Sequence, residues 1–362
     1  MSPAEASPPA RHPDPEGRFF VLDGWRAISI LLVLAAHMLP LGPKALRLNE
    51  TAGYMGMSLF FTLSGFLITT QVHRDGRVGA FFIRRLFRIV PLAWLGVLVA
   101  AYLADAGARG VLTSLFFGQT YSHAHIIPGL SHFWSLCVEV HFYLFIGVVL
   151  WLGGARIFQL LPFVWAALFL LRSSLAPSGT IETHLRVDEI LSGSLLALLH
   201  LGKLGDRTRG LIVRAPVPLL LLVLLATCLP VTAPVHGFRG LAAAAVVGHT
   251  LFAGAAGGFR WLGARPLRYI AAVSYALYVI HPFSMHGWLG QGATPAAKYA
   301  KRLLCLAITF ALAHLSTFAF ERRFIAWAKV LTARSRTDPS AGRAGSHPLA
   351  VPVRPPGHRP RI

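Results

Sequence analysis

The chain has 362 residues, of which 13% are charged and 55% hydrophobic, and its mean hydropathy is +0.59. Soluble chains carry about a quarter charged residues, so the composition excludes a soluble globular protein and points to many membrane spans. The formal charge of +20 does not indicate nucleic acid: few aromatics sit among the basic runs in a way that would suggest stacking on bases, and the cations gather on one side of the membrane.

Residues 1–18 are polar and Pro-rich, and disorder is expected there. They are not followed by the short apolar core and small-residue cleavage site of a signal peptide. Roughly 20 apolar residues make a membrane helix, and about ten such spans are predicted. They run 19–40, 53–71, 89–106, 132–152, 156–172, 187–201, 212–231, 239–258, 268–289 and 302–320. Residues 111–130 are expected to form an outer loop with an interfacial or re-entrant piece. Beyond 331 the tail is Pro, Arg, Ser and Gly without periodicity, and disorder is expected again. The fold class is therefore an all-α polytopic bundle, with one membrane domain over 19–325 between polar ends. The cysteines Cys137, Cys228 and Cys305 all fall in apolar spans, which is neither a disulfide framework nor a metal-site spacing.

Lys and Arg set the orientation. Arg74, Arg77, Arg84, Arg85 and Arg88 follow the second span, and Lys203, Arg207, Arg209 and Arg214 follow the sixth. Arg260, Arg265 and Arg268 follow the eighth. Loops on the other side carry fewer cations, among them Arg172, Arg186 and Arg239. The bias predicts both termini in the cytoplasm. No internal repeat is visible, which weighs against the paired halves of many transporters.

The first span, LDGWRAISILLVLAAHM, keeps Asp23, Arg26 and His37. Charge in a bilayer is costly and marks function or pairing. Arg26 and His37 are eleven residues apart, about three turns, so they share a helix face roughly 16 Å apart along the axis. That suits a long ligand held by an anionic end at Arg26, with its reacting end at His37. The competing reading is a snorkelling Arg and a structural His. In FFIRRLFRIVPLAW, Arg84, Arg85 and Arg88 are spaced to converge on one phosphate; contact with anionic lipid headgroups is the alternative. In HFWSLCVEVHFY, His132, Ser135 and Glu139 share a face, and an intramembrane Glu is expensive enough to favour function over a structural hydrogen bond. Ser64 and Gly65 form a small pair that lets a helix or a ligand chain approach; Ser64 lacks a nucleophile's triad signature. His123, His125 and His132 do not have the spacing of a metal site, and no metal is expected.

Together these stretches resemble the acyltransferase-3 family of integral-membrane O-acyltransferases that modify cell-surface glycans. The resemblance rests on LDGWRAISILLVLAAHM, GMSLFFTLSGFLIT, RRLFRIVP, HFWSLCVEVHFY, RVDEILSGSLLALL, SYALYVIHPF and FERRF, in the family's order. The family's Arg-ten-residues-His pattern falls on Arg26 and His37, its paired arginines on Arg85 and Arg88, and its Trp-Ser-Leu-Glu stretch on Trp134, Ser135, Leu136 and Glu139. Ser58 stands where an acid is common, and His141 where Gln is common. No extracytoplasmic hydrolase-like domain is visible.

The resemblance implies a cytoplasmic acyl-CoA donor, acetyl-CoA foremost, and an extracytoplasmic acceptor in a bacterial-type inner membrane. That acceptor would be a polysaccharide, glycolipid or small glycoside. The expected donor residues are Arg26, Arg84, Arg85 and Arg88. His37 is the expected general base, with Glu139 orienting His37 or the acceptor and Asp23 fixing Arg26. Ser64, Trp134, Ser135, Asp188 and His281 are the expected acceptor contacts. Transfer through an acylated His37 stays open beside direct attack. The rival classes are a glycan or lipid-intermediate transporter, or flippase, and a non-catalytic membrane component.

Overall fold

A computed structural model describes residues 20–75, 77–175, 180–254 and 258–334, and these are helical with connecting turns. The helices are α1 (Phe20–Met38), α2 (Leu48–Asp75), α3 (Val78–Ala104), α4 (Ala108–Leu115), α5 (Trp134–Gly153), α6 (Leu161–Leu175), α7 (Val187–His200), α8 (Asp206–Arg214), α9 (Val217–Cys228), α10 (Arg239–Ala253), α11 (Arg265–Ile280), α12 (Pro295–Leu315) and α13 (Arg322–Arg334). Each of the ten expected spans falls on one of them. The two polar ends lie outside the described residues, except that α13 carries the helix on to Arg334.

Among the described residues six stretches are long and apolar enough to cross a membrane: those of α1, α2, α3, α5 and α6, and the rod in which a π-helical turn joins α12 to α13. The chain is a multi-pass membrane protein. A seventh span would need α8 and α9 together, and these bend by 97° between them. The remaining expected spans are shorter than a bilayer. α7, α10 and α11 have 14, 15 and 16 residues. At 1.5 Å per residue that is about 21–24 Å, against a hydrocarbon core of about 30 Å. α7 is buried along nearly its whole length, so neighbouring helices rather than lipid cover its ends. α6 and α12 instead turn large side chains such as Phe163 and Leu303 outward.

The arginine run and the third span are one element. Arg84, Arg85 and Arg88 occupy the first turns of α3, which continues through Pro91. Proline supplies no amide hydrogen to the turn before it. In this stretch the Tyr275 hydroxyl of α11 donates to the Ile89 carbonyl at 2.5 Å. The expected re-entrant piece resolves into α4 and short 3-10 turns at Gln119–Tyr121 and His123–His125.

α2 is the hub, packed against α1 and α7. A Cβ at Gly65 would lie 1.9 Å from the Ile190 carbonyl oxygen, and one at Gly193 would lie 2.0 Å from that of Thr62. The two backbones touch because both positions lack a side chain, which is how small residues bring membrane helices together. The small pair thus serves a helix. Polar bonds reinforce the packing: Thr69 donates to Ser194 at 2.9 Å, Ser29 to the Gly56 carbonyl at 3.0 Å, and Trp25 to Thr250 at 2.9 Å.

Candidate active site

α1 places Arg26 and His37 near its opposite ends, and each meets a different set of neighbours. At the Arg26 end, α1, α3, α11 and the π-helical turn enclose a cavity of about 410 Å³. Asp23, Arg26, Arg88 and Glu321 line its inner part, and Glu321 is buried. Arg265, Arg268 and Tyr269 of α11 line it where the surface opens. Four guanidinium groups against two carboxylates leave a formal excess of positive charge, as an anion site requires. Arg26 and Arg88 are close enough for their charges to repel, and Asp23 and Glu139 offset Arg26. A bound anion would relieve that repulsion.

Arg84 and Arg85 are not among the residues lining the cavity. The Arg85 guanidinium donates to Gln71 at 3.0 Å and lies 5.7 Å from the ring centres of both Phe81 and Tyr143. On α3 the i, i+3 spacing brought Arg85 and Arg88 to neighbouring positions, but Gln71 of α2 draws the Arg85 head aside.

At the His37 end three imidazoles meet. The His37 and His281 ring centres are 5.1 Å apart, and those of His281 and His132 are 5.0 Å apart. His37 Nδ1 bonds the Val33 carbonyl at 2.8 Å, and His281 Nδ1 bonds the Tyr278 carbonyl at 2.8 Å. A neutral imidazole that donates from Nδ1 keeps an acceptor lone pair on Nε2. His281 is fully buried, and its Nε2 and that of His132 have no hydrogen-bond partner among the described residues. His37 is the exposed member of the trio. Tyr278 braces the group: its hydroxyl donates to the His132 carbonyl and pairs with Ser135 Oγ at 2.6 Å. Among the described residues no cluster of His, Cys, Asp or Glu has the arrangement of a metal site.

Glu139 lines neither the cavity nor the imidazole cluster, although its charge reaches Arg26. Its carboxylate accepts from Ser64 at 2.8 Å and from the Tyr143 hydroxyl. Glu139 thus ties α2 to α5, and the ring packed against His37 is that of His281. Ser64 serves the same tie. The shared face of His132, Ser135 and Glu139 is real, but Tyr278 takes two of the three and Ser64 the third.

Asp188 also lies apart, in a buried ion cluster that joins α6, α7 and α10. Arg172 donates to Asp188 at 2.9 Å and to Glu189 at 3.1 Å. Arg186 lies 3.1 Å from Glu189, and Ser58 donates to Glu189 at 2.7 Å. Arg239 is 3.8 Å from Glu189. Arg172, Arg186 and Arg239 are thus buried partners of acids rather than loop cations. Trp134 packs under the Arg186 guanidinium, 5.0 Å from its ring centre, and edge-on to Phe61. Of the departures from the family pattern, Ser58 feeds this cluster, and His141 bonds Thr183 at 2.8 Å.

The protein is thus a helical membrane bundle with an arginine-lined cavity at one end of α1 and an exposed imidazole at the other. The chain belongs to the acyltransferase-3 family, whose model, described as an acyltransferase domain, matches residues 20–312. It is 24% identical over 306 residues to the peptidoglycan O-acetyltransferase OatA of Listeria monocytogenes, covering 72% of this chain and 48% of that protein. It is 29% identical over 217 residues to a Bacillus subtilis protein named "Putative peptidoglycan O-acetyltransferase YrhL", covering 49% of this chain and 33% of that one. The chain therefore spans half or less of the length of these relatives. No solved structure matches it.

Proposed function

We propose that this protein transfers an acetyl group from acetyl-CoA, or a related acyl-CoA, to a hydroxyl of a cell-envelope glycan. The observation that carries the reading is the division of α1 between an arginine-lined cavity and an imidazole cluster. Arg26 and Arg88 hold the donor's diphosphate, and Asp23 and Glu321 keep those guanidinium groups in place. The donor's thioester arm runs along α1 toward His37, over the roughly 16 Å that eleven helical residues span.

There His37 Nε2 takes the proton of the acceptor hydroxyl while the oxygen attacks the thioester carbonyl. The C–O bond forms, the C–S bond breaks, and the thiolate leaves. The proton held on His37 then passes to that thiolate, so the net products are the ester and the free thiol. His281 is a positioning residue that fixes the His37 ring. The cavity faces the cytoplasm, which follows from the Lys and Arg bias with both termini inside, and the acceptor meets His37 from the far side of a bacterial-type inner membrane. The peptidoglycan named for the relatives makes an envelope polysaccharide the first acceptor to try.

The test is to incubate membranes containing the protein with radiolabelled acetyl-CoA and an envelope extract. Label in an alkali-labile glycan fraction, absent with His37→Ala at matched expression, supports the reading. Intact donor and no labelled glycan, together with movement of unmodified glycan across the membrane, would replace it with transport.

A further inference from the structure

The charge around the cavity is graded. Asp23 and Glu321 share its inner part with Arg26 and Arg88, so the charge there is partly balanced. Arg265 and Arg268 stand at its opening, exposed, and neither forms an ion pair among the described residues. They are three residues apart on the first turn of α11, which makes them neighbours on one helix face. The positive end of the α11 dipole adds to their field. Tyr269 stands beside them at the opening, 38% exposed, with its hydroxyl tied to His314 Nδ1 at 3.1 Å. Two paired guanidinium groups suit a phosphate monoester, and a tethered phenol ring offers a flat surface to a purine.

We infer that Arg265, Arg268 and Tyr269 form a separate subsite that reads the 3′-phosphorylated adenosine of the donor. This rests on the cavity being the acyl-CoA seat. A CoA-type nucleotide carries its diphosphate between the acyl arm and the adenosine, so an inner seat at Arg26 and Arg88 leaves the 3′-phosphate at the opening, where the second arginine pair stands. The protein would then discriminate between CoA and 3′-dephospho-CoA, which differ only in that phosphate.

The full-length protein in phosphatidylcholine nanodiscs, free of anionic lipid, is titrated calorimetrically with CoA and with 3′-dephospho-CoA. The expected result is at least about tenfold tighter binding of CoA, the scale of charge-assisted hydrogen bonds to one phosphate. Arg265→Gln with Arg268→Gln should bring the two dissociation constants within about twofold of each other and leave that of dephospho-CoA unchanged, since the lost contacts serve only the 3′-phosphate. Arg88→Gln should weaken both ligands alike. Equal binding of the two nucleotides by the unaltered protein overturns the subsite and leaves the donor assignment standing. Binding of neither overturns both. Equal weakening of both ligands by the rim substitutions, or an effect seen only in nanodiscs with anionic lipid, assigns Arg265 and Arg268 to general charge or to lipid headgroups and overturns the subsite.

Discussion

The imidazole rings of His37 and His281 lie 5.1 Å apart with their planes at 60°. One is exposed and the other fully buried, and both anchor Nδ1 on a backbone carbonyl of their own chain segment. In the proposed mechanism His37 is the group that meets substrate and His281 the wall that fixes it.

His37→Gln should reduce acyl transfer by at least about 10²-fold, the lower end of what a general base contributes. Because the substitution lies at the far end of α1 from the cavity, CoA binding should change by less than twofold. Transfer assays and calorimetry on the same preparation check both halves.

His281 carries a prediction of its own. His281→Gln should lower kcat for transfer by removing the ring packed against His37, while leaving donor affinity unchanged. A variant that merely unfolds would lose donor binding as well.

Glu189 should matter for folding rather than chemistry. It faces Arg172, Arg186 and Arg239, and Arg186 and Arg239 are 2% and 1% exposed. Removing the carboxylate leaves buried cations uncompensated, at a cost of about 3–5 kcal/mol. Glu189→Ala should therefore lower the melting temperature in detergent steeply, and more than Glu139→Gln, which leaves an amide able to bond Ser64.

The contact of α2 with α7 yields a paired outcome. Gly65→Ala should destabilise by about 1–3 kcal/mol, because the new methyl meets the Ile190 backbone. Gly79→Ala has open space around it in α3, and alanine's better helix propensity should stabilise by about 0.5–1 kcal/mol. Melting temperatures of the two variants should move in opposite directions.

The helices were legible because apolar runs near membrane length are unambiguous, and Arg26 and His37 stood out because charge in such a run is costly. The brevity of α7, α10 and α11 was not legible, since hydropathy does not tell a span facing lipid from a shorter helix enclosed by protein. Partners were harder still. His281 meets His37 across more than two hundred residues of chain, and no local spacing announces that. Glu189 is as legible as its neighbour Asp188, since both are carboxylates in an apolar run and the same cost argument covers each. Arg172, Arg186 and Arg239 look like loop cations in the sequence because they sit at predicted helix ends; their burial depends on acids contributed by α7. Glu321, in the FERRF stretch, and Arg265 and Arg268 become site residues only once α11 and the π-helical turn close over α1.

The most direct test of the two-ended site is the dissociation constant of acetyl-CoA for Arg88→Gln set beside that for Arg85→Gln. Only Arg88 lines the cavity, while Arg85 bonds Gln71. The expected result is a rise of about tenfold or more for Arg88→Gln, the scale of a charge-assisted phosphate contact, and less than about threefold for Arg85→Gln. Unchanged affinity in Arg88→Gln would contradict the donor cavity, and with it the division of α1 between donor and base.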